Sequence, residues 1–118
     1  MNLKDYQEQA KRTCPSLEGG QLNDLIHMSL GIQTEAAEIA DLLKKRLAYK
    51  KDIDWVNMKE EVGDTMWYIA NLCNINNWNL EDILETNINK LKVRYPEKFS
   101  EDKAINRNLD AERKELEK

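Results

Sequence analysis

Apolar residues recur along this chain at the three-to-four-residue spacing of helix faces. Leu3, Tyr6 and Ala10 share one side of a short segment, predicting a helix over residues 2–13. Pro15 and the Gly19–Gly20 pair interrupt it within CPSLEGGQ. A long helix is predicted from about Asn23 to Tyr49, with an apolar stripe of Leu25, Met28, Ile32, Ile39, Leu42, Leu43 and Leu47. KKDID is a polar connection in which Asp52 or Asp54 can cap a third helix. That helix covers roughly Trp55 to Ile75, with Val62, Met66, Ile69 and Cys73 as its core face. NNWN reads as a turn, and Asn79 as the N-cap of a helix from Leu80 to about Arg94. Leu80, Ile83, Leu84, Ile88 and Leu91 are its apolar positions, and Pro96 stops it.

Beyond residue 99 the pattern thins. FSEDKAINRNLDAERKELEK is dense in charge and is expected to be a solvated or partner-dependent tail, with a helix toward its end. Helices joined by short connections pack as antiparallel neighbours. The prediction is therefore all-α: a bundle of four to five helices forming one domain over 1–99, followed by a charged tail over 100–118. Three tryptophans, Trp55, Trp67 and Trp78, and broad apolar faces exceed what a small bundle hides. Self-association is expected.

Composition narrows the class. The chain has 118 residues, 41% hydrophobic and 34% charged, with only 4 Gly and 2 Pro, which fits one globular helical domain. The formal net charge of −4 gives no general attraction to nucleic acid or anionic membrane. No apolar run approaches the roughly 18 residues of a membrane span, and MNLKDYQEQAKR lacks a signal-peptide core. Cys14 and Cys73 are too few for a disulfide framework and are expected to be free thiols in a reducing cytoplasm.

Against this background one feature needs a reason. Glu61 and Asp64 stand at i and i+3 inside the apolar helix KEEVGDTMWYIANLC, and Glu35 and Glu38 repeat the spacing in QTEAAEIADLL. On a helical projection Glu35 falls between Ile39 and Leu42, within the stripe, and Glu38 slightly to one side, near Gly31 and His27. Either pair alone is ordinary for a solvated surface. With both at apolar edges of successive helices, four carboxylates can meet if those helices are antiparallel neighbours. Such groups repel and raise each other's pKa unless a cation joins them. An all-oxygen donor set selects Mg²⁺ or Mn²⁺ over zinc. A di-iron bundle would need Glu-x-x-His on two helices, and the only histidine is His27. In NINKLKVRYP, Asn87, Lys90 and Arg94 share one stripe of amide, ammonium and guanidinium, which suits phosphate oxygens. Metal-binding acids with a basic stripe suit a metal-bound polyphosphate.

The two acidic pairs, Glu35-Ala-Ala-Glu38 and, 22 residues on, Glu61-Val-Gly-Asp64, resemble the ExxE…ExxD motif of MazG-like nucleoside triphosphate pyrophosphohydrolases. LGIQTEAAEIADLLKK, KEEVGDTMWYIANLC, NINKLKVRYPEKFS and AINRNLDAER extend the resemblance from His27 to Arg113. It implies an all-α fold, usually dimeric or tetrameric, that hydrolyses nucleoside triphosphates to monophosphate and pyrophosphate with Mg²⁺. It makes Glu35, Glu38, Glu61 and Asp64 the metal ligands. It gives phosphate contacts to Lys90 and Arg94, with Asn87 and Asn71 as weaker candidates. Ala37 stands where many relatives have glycine, a change a helix tolerates.

On that mechanism Glu38, less buried in azimuth than Glu35, is the favoured base for a water proton. His27 lies on the azimuth of Glu38, two turns earlier, and is a candidate for base or sugar. Tyr68 follows Asp64 by one turn and is expected to line the same pocket. Trp67 points away, toward core or subunit contact, and Met66 and Cys73 are core. Two other readings keep the fold: hydrolysis of a different phosphoanhydride, and a non-catalytic nucleotide-sensing or assembly module. Four clustered acids disfavour the last. A coiled coil would need sustained heptads, which the interrupted helices do not supply.

Overall fold

The computed structural model describes all residues, 1–118, and contains six helices and no strand. They are α1 (Leu3–Lys11), α2 (Gln21–Tyr49), α3 (Trp55–Ile75), α4 (Leu80–Arg94), α5 (Glu101–Ile105) and α6 (Leu109–Glu117). The all-α expectation holds, and the predicted boundaries differ by a few residues at most.

Local chemistry explains the ends. Asn2 caps α1 by accepting from the Asp5 N–H, and Asp54, rather than Asp52, caps α3 through the Asn57 N–H. Asn79 caps α4 through the Glu81 N–H. The long α2 stops at Lys50, which takes a left-handed conformation with φ of 55°. The Lys50 N–H then donates to the Arg46 carbonyl, the closing bond of an αL cap, and the Lys51 N–H to the Lys45 carbonyl.

The chain forms two compact units, 1–78 and 79–118. In the first, α3 packs against both α1 and α2. An amide network joins α1 to α3. Asn71, with no exposed surface, donates from Nδ2 to the Ala10 carbonyl at 3.1 Å. Asn74 donates to the Gln7 carbonyl and to Asn71 Oδ1, both at 3.0 Å, while Gln7 donates to Asn74 Oδ1 and the Trp78 carbonyl. The Trp67 indole donates to Thr13 Oγ1 at 2.8 Å. Trp67 thus anchors the residues just after α1.

Between α2 and α3 the fit depends on one glycine. Gly31 is buried, and the Tyr68 ring lies where its side chain would be: a β-carbon there would stand 2.1 Å from Cε1. Met28, one turn earlier, is fully buried. The remaining apolar core of this unit is small, comprising Ala10, Ala70 and Cys73.

Two expectations change here. Val62, predicted on the core face of α3, is 51% exposed, while Glu61 beside it is 7% exposed. The reason is the rotation of α3, whose buried positions are Glu61, Ala70, Asn71 and Cys73. Leu43 and Leu47, predicted in the α2 stripe, are also exposed, Leu47 to 86%. Trp55 and Val56 at the start of α3 are exposed as well.

In the second unit α4 packs with α6. Residues expected to form a solvated tail thus fold as two short helices, capped by Ser100 and Asn108. Glu112 in α6 is only 2% exposed. The thiols of Cys14 and Cys73 are unpaired, and no helix is long and apolar enough to cross a membrane.

Candidate metal centre

The packing of Tyr68 on Gly31 fixes how α2 and α3 lie along one another. One turn further along α2 comes Glu35, and one and two turns back along α3 come Asp64 and Glu61. Carboxylate oxygens of Glu35, Glu61 and Asp64 lie within 4.8 Å of one another. Acidic groups on a surface gather without consequence, but Glu61 is nearly fully buried, and its Oε2 has no hydrogen-bond partner. A buried, unpartnered carboxylate oxygen is costly. A hydrogen bond with Glu35, then burial, then the charges of Glu35 and Asp64 hold the Glu61 carboxyl above its usual range. A cation would relieve that repulsion and desolvation. The donors are all hard oxygens, which suits a magnesium-like cation and gives nothing to a thiophilic metal.

Glu38 is not in this close group. It is exposed, and it borders a shallow depression with Ala37, Ala40, Asp41 and Lys44. Lys44 and Lys45 both pair with Asp41, so Glu38 stands beside a lysine–aspartate cluster on the outer side of α2. The sequence led us to expect four carboxylates together, and three converge.

His27 and Tyr68 sit edge to face, ring centroids 6.1 Å apart, and Trp67 meets Tyr68 in the same manner at 4.9 Å. His27 Nδ1 is buried with no hydrogen-bond partner. Asn71 is committed to α1 through Ala10 and to Asn74. Tyr6, which the sequence places only on the apolar side of α1, is a neighbour of this group. Its hydroxyl donates to the Gly63 carbonyl at 3.4 Å, and burial followed by the charge of Asp64 pushes its pKa up. Only the placement of α1 across α3 brings it there, and no motif signals it.

Asn87, Lys90 and Arg94 all lie on α4, in the unit 79–118. Asn87 is exposed and Lys90 half-buried. Arg94 donates from Nε to Glu112 Oε1 at 2.6 Å, and its guanidinium stacks 5.6 Å from the Tyr95 ring centroid. Arg107 donates to the other Glu112 oxygen from Nη2 at 2.8 Å and Nε at 3.2 Å. These bonds, from Arg94 first, hold the Glu112 carboxyl down to about 2. Glu112 and Arg107 were not legible as a pair. Glu112 lies in a charged segment, and Leu109, Ala111 and Leu116 around it give too thin an apolar pattern to mark it as buried.

The model of the MazG nucleotide pyrophosphohydrolase domain matches residues 25–99, which contain both acidic pairs, His27, Tyr68 and the basic positions of α4. The "Gene 37 protein" of Mycobacterium phage L5 is 36% identical over 86 residues, covering 69% of this chain and 70% of that protein. No solved structure matches the chain. With a family model covering well over half of its length and three of the four motif carboxylates gathered between α2 and α3, the chain belongs to the MazG nucleotide pyrophosphohydrolase domain family.

Proposed function

We propose that this protein is a Mg²⁺-dependent pyrophosphohydrolase that cleaves a nucleoside or deoxynucleoside triphosphate to the monophosphate and pyrophosphate, with Mn²⁺ able to substitute. The observation that carries the reading is the convergence of Glu35, Glu61 and Asp64, with a buried Glu61 oxygen that lacks any partner. Family membership supports the substrate class.

Glu35, Glu61 and Asp64 would hold the cation, with Glu38 as the outlying fourth carboxylate. When bound, the cation supplies charge neutralisation and Lewis acidity toward the triphosphate. A bound cation would offset the burial and the charges of Glu35 and Asp64 that hold the Glu61 carboxyl above its usual range. Glu38 is exposed and outside the close group, which leaves its carboxylate free to accept a proton from the attacking water. Lys90 and Arg94, with Asn87, donate hydrogen bonds to phosphate oxygens and stabilise charge on the departing pyrophosphate. His27 and Tyr68 provide an edge-to-face aromatic pair for base or sugar.

The exposed apolar residues support a homodimer or homotetramer. Leu22, Ile26 and Leu30 succeed one another at four-residue spacing along α2, and a groove lined by Leu25, Ile26, Leu30, Leu72 and Trp78 continues this face. The setting we infer is the cytoplasm, with removal of unwanted nucleotides as the purpose.

The test is a substrate panel. Purified protein with Mg²⁺ is offered common and modified NTPs and dNTPs, and monophosphate and pyrophosphate are quantified beside a Glu61→Ala control. Pyrophosphate release that disappears in the control is expected. A folded, metal-binding protein that releases none across the panel would overturn the reading in favour of a nucleotide sensor or another phosphoanhydride substrate.

A further inference from the structure

In the unit 79–118 two arginines converge on one buried glutamate. Glu112 is 2% exposed, and both of its oxygens are taken: Oε1 by Arg94, Oε2 by Arg107. One cation balances one buried carboxylate. Here two meet it, which leaves the group with an excess positive charge. The Arg94 side chain is only 15% exposed, so water screens that charge poorly. Tyr95 stacks on Arg94 and takes a hydrogen bond from it. The other acids of α6 that form ion pairs are engaged elsewhere, Glu117 with Arg113 and Glu115 with Lys118.

A guanidinium has five N–H donors. Glu112 uses one from Arg94 and two from Arg107. The remaining donors belong to two planar guanidinium groups anchored on the same carboxylate, Arg94 through Nε and Arg107 through Nε and Nη2, with little rotamer freedom left to lose. Paired guanidinium forks with an excess of charge match the tetrahedral oxygens of a phosphate group.

The geometry points to Arg94 and Arg107, held together by Glu112, as an oxyanion site for a phosphate group, with Arg107 as a phosphate ligand that the motif residues do not include. For Arg94 this rests on the proposed function; Arg107 enters from the ion-pair geometry alone. The phosphate group belongs either to the polyphosphate of a nucleotide or to free pyrophosphate.

The experiment uses the full chain in chelator-treated, metal-free buffer. Inorganic pyrophosphate and, separately, a non-hydrolysable α,β-methylene triphosphate nucleotide are titrated by calorimetry into wild type, Arg107→Ala and Arg107→Lys. Arg107 is partly exposed and Arg94 keeps its bond to Glu112, so both variants are expected to fold. Arg107→Ala should weaken pyrophosphate binding by about tenfold or more, the loss typical of one charge-assisted hydrogen bond, and Arg107→Lys should recover only part of it. Equal weakening for the nucleotide analogue assigns the site to the substrate's phosphates. Weakening for pyrophosphate alone assigns it to the product. Binding of pyrophosphate to Arg107→Ala within about twofold of wild type, or no binding to wild type, would overturn the site. If the site fails while wild type still hydrolyses triphosphates with Mg²⁺, the proposed function stands. If binding depends on Arg107 and no triphosphate is hydrolysed, the site stands and the proposed function falls.

Discussion

Tyr68 packs its ring directly onto the backbone of Gly31, so closely that the space of a β-carbon at residue 31 is already filled. This contact sets the offset of α2 against α3, and that offset brings Glu35 to Glu61 and Asp64. Gly31→Ala should therefore destabilise the protein, although alanine is the better helix former by about 1 kcal/mol. Overpacking against a ring wedged between helices costs about 1–3 kcal/mol, so the net sign is unfavourable. Chemical denaturation measures it. Tyr68→Ala in the same chain should relieve the overlap, and additive losses in the double mutant would show that the two residues are not coupled.

The metal centre predicts opposite effects for the apo and loaded protein. Folding raises the pKa of Glu61 above the unfolded carboxylate value, so its contribution favours the fold below that value and declines as pH rises through the folded pKa. At neutral pH the metal-free protein should therefore be stabilised by Glu61→Gln. Mg²⁺ at about a hundred times its Kd should raise the wild-type melting temperature by roughly 10 °C, and the variant should lose that rise. Thermal unfolding with and without Mg²⁺ checks both. A full metal shift in Glu61→Gln would remove Glu61 from the ligand set.

Glu38 and Glu61 should separate in kinetics. Glu38→Gln is expected to lower kcat by about a hundredfold or more, the usual share of a general base, while keeping the Mg²⁺-induced rise in melting temperature. Loss of that rise would instead make Glu38 a ligand in solution.

Acid should loosen the C-terminal unit in a defined window. Glu112 titrates at about 2 when folded, against an ordinary glutamate value of 4.5. Its stabilising effect is complete above about 4.5 and is lost as pH falls toward about 2. Amide exchange across α6 should therefore speed up between those limits in wild type. In Glu112→Gln, protection should be lower at neutral pH and flatter across the same window.

Asn71→Ala should release α1. It leaves the Ala10 carbonyl without its side-chain donor and opens space at a fully buried position, at a cost of about 1–3 kcal/mol. Because Tyr6 of α1 reaches Gly63 beside Asp64, Mg²⁺ affinity should also fall. Denaturation and metal titration read the two effects separately.

The first four helices, the caps of α3 and α4 and the two acidic pairs were legible along the chain, because helical periodicity and capping are local properties. Asp54, Asn79 and the stop after Arg94 all depend on a few neighbouring residues. The motif spacing was sufficient to suggest the family. What the sequence did not determine is the rotation and offset of one helix against another. Those depend on which side chains interlock, as Tyr68 does with Gly31, and such contacts have no period along the chain. That rotation buried Glu61 and exposed Val62, gathered three carboxylates and left Glu38 outside. The same limit hid Glu112. Its burial comes from Arg94, 18 positions away, and Arg107 closing on one carboxylate, a condition met only once α6 folds back onto α4.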